Sequence, residues 1–275
     1  MDRVVFIMRQ RHGHEFSRTK HPRRIVVWVT RKGAARIGSI IGLAALLILL
    51  VWAEIPALET GGRSYLSAPL AGKTIVLDAG HGGVDGGAVS RDGVIEKDIN
   101  MSLVLQLRDY LQQAGAVVYL TREGDHDLAD SDVKGYAKRK TQDLLKRTAV
   151  IIEKKPDLAL TIHMNSVPSS KWSGAQTFYY PTNTEGGRLA TLVQAEIRSS
   201  VGNTNRVALT KDNVYLLKAL KMPAALVEVG FLSNPDEARL LAGEGYQTKV
   251  AAALYRGILR YMEGEGKKGL PSPAT

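Results

Sequence analysis

Between residues 73 and 263, short runs of β-branched and other apolar residues alternate with longer segments whose apolar positions recur every three or four residues. The runs at 74–77, 116–120, 158–162, 175–180 and 224–227 predict strands, and the segments 96–113, 139–153, 185–201 and 246–262 predict helices. In the last helix Val250, Leu254, Ile258 and Tyr261 share one face; in the third, Leu189, Leu192, Val193 and Ile197 do. Such alternation predicts an α/β fold with a mainly parallel, twisted sheet and helices on both faces. Ligands of these sheets collect beyond the carboxyl ends of the strands. Three strands are expected to stop at titratable residues there. The first leads into Asp78-Ala79-Gly80-His81, the third into His163 and the fifth into Glu228.

Upstream the pattern changes. Residues 37–53 (IGSIIGLAALLILLVWA) form a run of seventeen uncharged positions, apolar on every face, which is just enough to span a bilayer. Arg23, Arg24, Arg31, Lys32 and Arg36 precede it. Positive charge on that flank predicts a cytoplasmic N-terminus and export of everything after Ala53. The chain is therefore expected to divide into a basic cytoplasmic segment (1–36), a transmembrane signal anchor (37–53), a linker (54–72), one domain (73–263) and a flexible tail (264–275). A cleaved signal peptide competes with the anchor, because Val51-Trp52-Ala53 loosely fits the small-residue cleavage rule; the long basic extension argues for the anchor.

Charge and composition narrow the chemistry. The net charge of +10 invites a nucleic-acid reading, but residues 1–36 hold ten Lys/Arg against two Asp/Glu. The remainder carries 27 against 25, so no nucleic-acid partner is expected. With no cysteine, disulfides, thiolate metal sites and cysteine nucleophiles are excluded, and any metal must be held by His, Asp or Glu.

Glu96 opens the first predicted helix, and Ile99, Leu103, Leu107 and Leu111 follow it along one stripe, so its carboxylate is expected to face the sheet. One reading makes it a first-turn glutamate interacting with the helix dipole. The other joins it to His81 and His163 in a two-histidine, one-carboxylate set, the ligand count of a catalytic zinc site with an open fourth position. Non-haem iron oxygenases use the same set. The segment GHGGVDGG at 80–87 lacks the Lys-Ser/Thr of a P-loop and carries Asp85 where a dinucleotide fingerprint needs its third glycine, which argues against nucleotide binding. Its glycines are expected to let backbone approach a bulky substrate and to turn His81 toward the site. Lys138-Arg139-Lys140 reads as solvated charge, and residues 125–132 as an acidic surface loop. Asn165, two residues past His163, either orients a substrate amide or a ligand or is structural.

Five blocks occur in a telling order: DAGHGGVDGGAV from Asp78, EKDIN from Glu96, LTREGD from Leu120, LTIHMNS around His163 and LVEVGFLSNPDEARLL around Glu228. Over residues 73–262 the chain thereby resembles the zinc N-acetylmuramoyl-L-alanine amidases of bacterial cell walls. KWSGAQTFYY and GYAKRK, with the anchor and the lack of an evident repeat-type wall-binding module, resemble the spore-cortex branch of that family. The resemblance implies one zinc ion on His81, Glu96 and His163, and a catalytic role for Glu228. It implies a peptidoglycan glycan strand with its stem peptide as substrate. The bond cut is then the amide between the lactyl group of N-acetylmuramic acid and L-alanine, as a step toward muramic δ-lactam in spore cortex. The catalytic domain would work outside the cytoplasm, at a cortex-facing membrane of a spore-forming bacterium. Division-type members can carry an inhibitory insertion between the strand after the second histidine and the next helix. Here Tyr180 is followed almost at once by the helix near Glu185, so control would lie in expression, substrate form or a partner such as an activator protein. A membrane-anchored scaffold that binds peptidoglycan without cutting it is the competing reading. Retention of all four site residues argues against it.

Overall fold

The computed structural model describes residues 3–7, 26–30, 32–33, 35–37, 39–49 and 68–266. The chain divides into two units, Met1–Ser67 and Ala68–Thr275. In the first, β1 (Arg3–Ile7) and β2 (Val26–Thr30) pair antiparallel with Arg3 opposite Thr30. The sequence pattern does not predict this pair, whose two five-residue β-branched runs lie within a segment dense in charge. Residues 39–49 are helical and exposed. Among the described residues no helix is long and apolar enough to cross a membrane. Of the expected anchor, residues 38 and 50–53 lie outside the described residues, as do 54–67 of the expected linker and 267–275 of the expected tail.

The second unit runs β3 (Thr74–Ala79), α1 (Glu96–Gln113), β4 (Val117–Leu120), α2 (Tyr136–Glu153), β5 (Leu158–Asn165) and β6 (Gln176–Tyr179). It continues with α3 (Thr184–Glu196), which extends as a π-helical turn over Ile197–Val201, then β7 (Leu209–Thr210), α4 (Tyr215–Ala219), β8 (Ala224–Phe231), α5 (Pro235–Ala242) and α6 (Glu244–Met262). The strands form one six-stranded sheet in the order β4-β3-β5-β8-β6-β7. From β4 to β8 all neighbours are parallel; β6 runs antiparallel to β8, and β7 parallel to β6. The sheet is therefore mixed and mostly parallel. Residues 166–175, between β5 and β6, hold no helix. Without the helical crossover that a parallel strand needs, β6 returns in the opposite direction on the far side of β8.

Period-two alternation in the central strands divides the core in two. Ile75 and Leu77 of β3, Leu158, Leu160 and Ile162 of β5 and Val227 of β8 pack against α1, α3 and α6 through Leu103, Leu107, Leu189, Val193, Leu254 and Ile258. The intervening Val76, Ala159, Ala224 and Leu226 face Ile151 of α2 and Leu216 and Leu217 of α4. Helices thus cover both faces, as the alternation of elements predicts. The same parity assigns Asp78, Thr161, His163 and Glu228 to the face of the smaller core, toward the carboxyl ends of the strands.

Two strands run further than expected. Met164, Val229 and Phe231 are buried and keep the alternation going, so β5 reaches Asn165 and β8 reaches Phe231. His163 and Glu228 consequently lie inside strands, not beyond their ends; only His81 follows its strand. At the other edge, Leu70, expected in the linker, is fully buried, and its N–H donates to the Ala114 carbonyl at 2.8 Å. Helix α5, also unanticipated, begins with Pro235 in its first turn and with the Asn234 side chain accepting from the N–H groups of Asp236 and Glu237.

Candidate metal centre and active site

One donor atom from each of His81, Glu96 and His163 lies within 4.8 Å of the others. Glu96 Oε1 stands 3.2 Å from His81 Nε2 and 3.0 Å from His163 Nδ1. The two imidazoles meet edge to face with centroids 4.9 Å apart. Glu96 is buried, and it does not serve its own helix end. Its Oε2 accepts from the Ala88 N–H at 2.8 Å and its Oε1 from the Met164 N–H at 2.9 Å, so the carboxylate ties the glycine-rich loop to β5. The helix-dipole reading therefore gives way to the cluster reading. Burial alone would raise the Glu96 carboxyl, but hydrogen bonds to His163 and His81, with their charge, hold it far below the usual range.

Two glycines exist for this packing. A Cβ on Gly80 would fall 2.3 Å from the His163 ring, and one on Gly87 would fall 2.5 Å from Glu96 Oε2. Their openness serves contact with His163 and Glu96, where the sequence suggests approach to a substrate. His81 itself has φ of 64°, a left-handed conformation that costs a residue bearing a Cβ about 1–2 kcal/mol.

Asp85 holds the far side of the His81 ring. Its Oδ2 is 2.9 Å from His81 Nδ1, and it also takes the Tyr136 hydroxyl at 2.8 Å, the Gly87 N–H at 3.1 Å and Lys140 Nζ at 3.0 Å. A carboxylate on Nδ1 selects the tautomer that leaves Nε2 facing Glu96 and the cluster. Burial favours a neutral His81, but Asp85 and then Glu96 outweigh it and push the ring up to about 9. The sequence presents Asp85 only as a missing glycine; its signal there is a carboxylate four residues from a candidate ligand. Lys140 and Arg139, expected to be solvated, are both engaged, Arg139 with Asp127 at 2.5 Å. Helix α2 starts at Tyr136, earlier than expected, so Tyr136 and Lys140 sit one turn apart on the side facing the loop.

Glu228 pairs in register with His163 across β8 and β5. Its Oε2 is buried without a hydrogen-bond partner, and its Oε1 lies 4.0 Å from Lys211 Nζ. Burial raises its pKa above that of an ordinary glutamate; His163 pulls it back, and the charge of Glu96 adds to the rise. A desolvated carboxylate beside a candidate set of metal-binding side chains is suited to proton transfer. Lys211, over the Phe178 ring at 4.6 Å, was missed because the two-residue strand before it leaves no pattern in the sequence. Asn165 ends β5; its carbonyl accepts from the Leu232 N–H at 2.9 Å. Its side chain makes no hydrogen bond among the described residues.

Fold and site together define an α/β domain with a two-histidine, one-glutamate candidate metal centre and a desolvated carboxylate beside it. The family model for N-acetylmuramoyl-L-alanine amidases matches residues 75–260, and the chain belongs to that family. Its activity is that of an N-acetylmuramoyl-L-alanine amidase, which sets aside the oxygenase and scaffold readings. The germination-specific N-acetylmuramoyl-L-alanine amidase of Bacillus subtilis (strain 168) is 48% identical over 200 residues, covering 73% of this chain and 84% of the relative. The amidase LytC of the same organism is 30% identical over 224 residues, 81% of this chain but 42% of LytC. The structure of the CwlD amidase from Clostridioides difficile in complex with the GerS lipoprotein is 40% identical with a TM-score of 0.68, covering 70% of this chain and 98% of that one.

Proposed function

We propose that the chain is a zinc-dependent, membrane-anchored amidase of spore cortex. It cuts the amide between the lactyl group of N-acetylmuramic acid and L-alanine. The observation that carries the catalytic reading is the grouping of His81, Glu96 and His163 within 4.8 Å, with Glu228 in register with His163. Two imidazoles and one carboxylate fit a catalytic zinc site, and the left-over acceptor capacity of Glu228 Oε2 fits a proton carrier. Bound there, zinc would supply Lewis-acid polarisation and a water acidified to a pKa of about 7. Glu228 accepts the proton of the attacking water as its oxygen bonds to the lactyl carbonyl carbon. It returns that proton to the alanine nitrogen as the C–N bond breaks. The products are a lactyl carboxylate on the glycan and a peptide with a free amino terminus. His81 and His163 are held in place throughout, the former through Asp85.

The germination-specific relative supports the cortex assignment, in which the freed lactyl carboxylate becomes available for muramic δ-lactam once a separate deacetylase exposes the sugar amine. The uncharged run 37–53 behind its basic flank supports an anchor with the domain outside the cytoplasm. The lipoprotein bound to the C. difficile relative supports an activator partner of that kind. Incubation of the purified chain with purified peptidoglycan should release peptide amino termini, and Glu228→Gln should not. Deleting the gene should give cortex without δ-lactam. Normal δ-lactam would remove the cortex assignment, and a reporter fused after residue 60 that works only inside the cytoplasm would reverse the topology.

A further inference from the structure

The backbone that carries His81 is gripped by two buried arginines. Arg147, on α2, donates to the carbonyl of Ala79 at 2.6 Å and to the carbonyl of His81 itself. The same guanidinium is fixed by Asp78 at 2.9 Å and by Asp143 at 2.8 Å. Arg122, just past β4, donates to the carbonyls of Ala79 at 3.0 Å and Gly80 at 3.2 Å, and Asn100 Nδ2 adds a bond to Gly80 at 3.1 Å. Both arginines are 2% exposed. Three successive carbonyls, of residues 79, 80 and 81, are thus captured by cationic donors.

We propose that Arg147 is a positioning residue for the metal centre: by holding the carbonyls of Ala79 and His81 it keeps His81 in its left-handed conformation and so sets how tightly the centre binds its ion. The inference rests on the reading of His81, Glu96 and His163 as ligands. A histidine with φ of 64° has no conformational reason of its own to stay there. Asp85 orients the ring through Nδ1, but it cannot determine where the Cβ sits; the peptide following His81 does, and Arg147 holds the carbonyl of that peptide. If the grip is lost, the backbone is free to relax to negative φ and the ring swings out of reach of Glu96. Sixty-six residues separate Arg147 from His81, so ligand geometry depends on the docking of α2 against the sheet.

The test uses the full-length chain, freed of metal, with Zn2+ as probe in competition with a chromophoric chelator, and thermal melting of the metal-free form as the measure of folding. Arg147→Lys keeps a positive charge for Asp78, but an ammonium cannot reach four acceptors in a plane. Measured well below its melting temperature, it should bind Zn2+ about 10–100-fold more weakly than the unsubstituted chain. Folded Arg147→Lys with unchanged Zn2+ affinity would overturn the proposal, because a purely structural arginine lowers the melting temperature without altering the affinity of the folded protein. Should Arg147→Lys not fold, Asp143→Asn loosens the Nε side of the same guanidinium and should weaken Zn2+ binding several-fold; unchanged affinity there overturns the proposal equally. His163→Ala run in parallel separates the two levels. Its retention of full affinity would mean that the ligand assignment has failed, whereas its loss beside an unaffected Arg147→Lys would mean that only the positioning role has.

Discussion

Replacing Glu228 with glutamine should make the metal-free protein more stable and nearly inactive. The substitution keeps shape and removes charge. Glu228 Oε2 is buried with no partner, and a buried charged group left in that state costs about 1–3 kcal/mol or more. Lys211, 4.0 Å away and partly exposed, returns at most about 1 kcal/mol. The net gain on substitution is therefore about 1 kcal/mol, or about 2–4 °C in Tm for a domain of this size. Its pH dependence has a definite sign. Because folding raises the Glu228 pKa above its ordinary 4.5, the native state binds the proton more tightly than the unfolded chain does. The penalty of the charged form is complete above the folded pKa and absent below the unfolded one. Melting curves of both proteins in chelator at pH 7.5 should differ in favour of Glu228→Gln, and at pH 4 they should coincide. Turnover on peptidoglycan should fall by roughly 10²–10⁴. Equal stability at pH 7.5, or a gain that persists at pH 4, would refute the account of an uncompensated carboxylate, and near-normal turnover would move the base elsewhere.

Asp78 is held down to about 2: burial alone would raise it, but Arg147 and the hydroxyls of Thr121 and Thr161 override burial. Its contribution to stability is therefore fully present above the ordinary 3.8 and fades as pH falls toward 2, a loss of about 2 kcal/mol; Asp78→Asn should flatten that stretch of the acid-unfolding profile and leave Arg147 short of a partner, at a cost of about 3–5 kcal/mol at neutral pH. Chelation of a metal present at 100 times its Kd should lower stability by about 2.7 kcal/mol, and His163→Ala should abolish the difference between chelated and loaded melts. Leu70→Ala should destabilise the domain by about 2–5 kcal/mol, measured by denaturant unfolding, since this side chain is fully buried; a neutral effect would return residue 70 to the linker.

Much of this was legible along the chain. The first helix was expected over 96–113 and occupies those residues, because Glu96 and the stripe from Ile99 to Leu111 mark its start and its buried face. The grouping of His81, Glu96 and His163 was likewise readable from polar residues that interrupt apolar runs. What could not be read is non-local. A polar residue inside a strand looks the same in one dimension as one that ends it, so β5 and β8 were cut short at His163 and Glu228. The direction of β6 depends on which strand separates it from β5, and no residue records that. Arg122 and Arg147 look like ordinary charges on a strand end and a helix; only folding brings them beneath the loop that carries His81.

The point at which the chain enters the domain has a mechanical consequence. Leu70 is pinned beside the first residue of β3, whereas His81 follows the last, and six residues of strand put about 20 Å between the two edges. Leu70 thus lies at the amino-terminal edge of the sheet and His81 at its carboxyl-terminal edge. A pull on the backbone at Ala68 would have to draw Leu70 out of its socket and peel the start of β3 before it displaced His81.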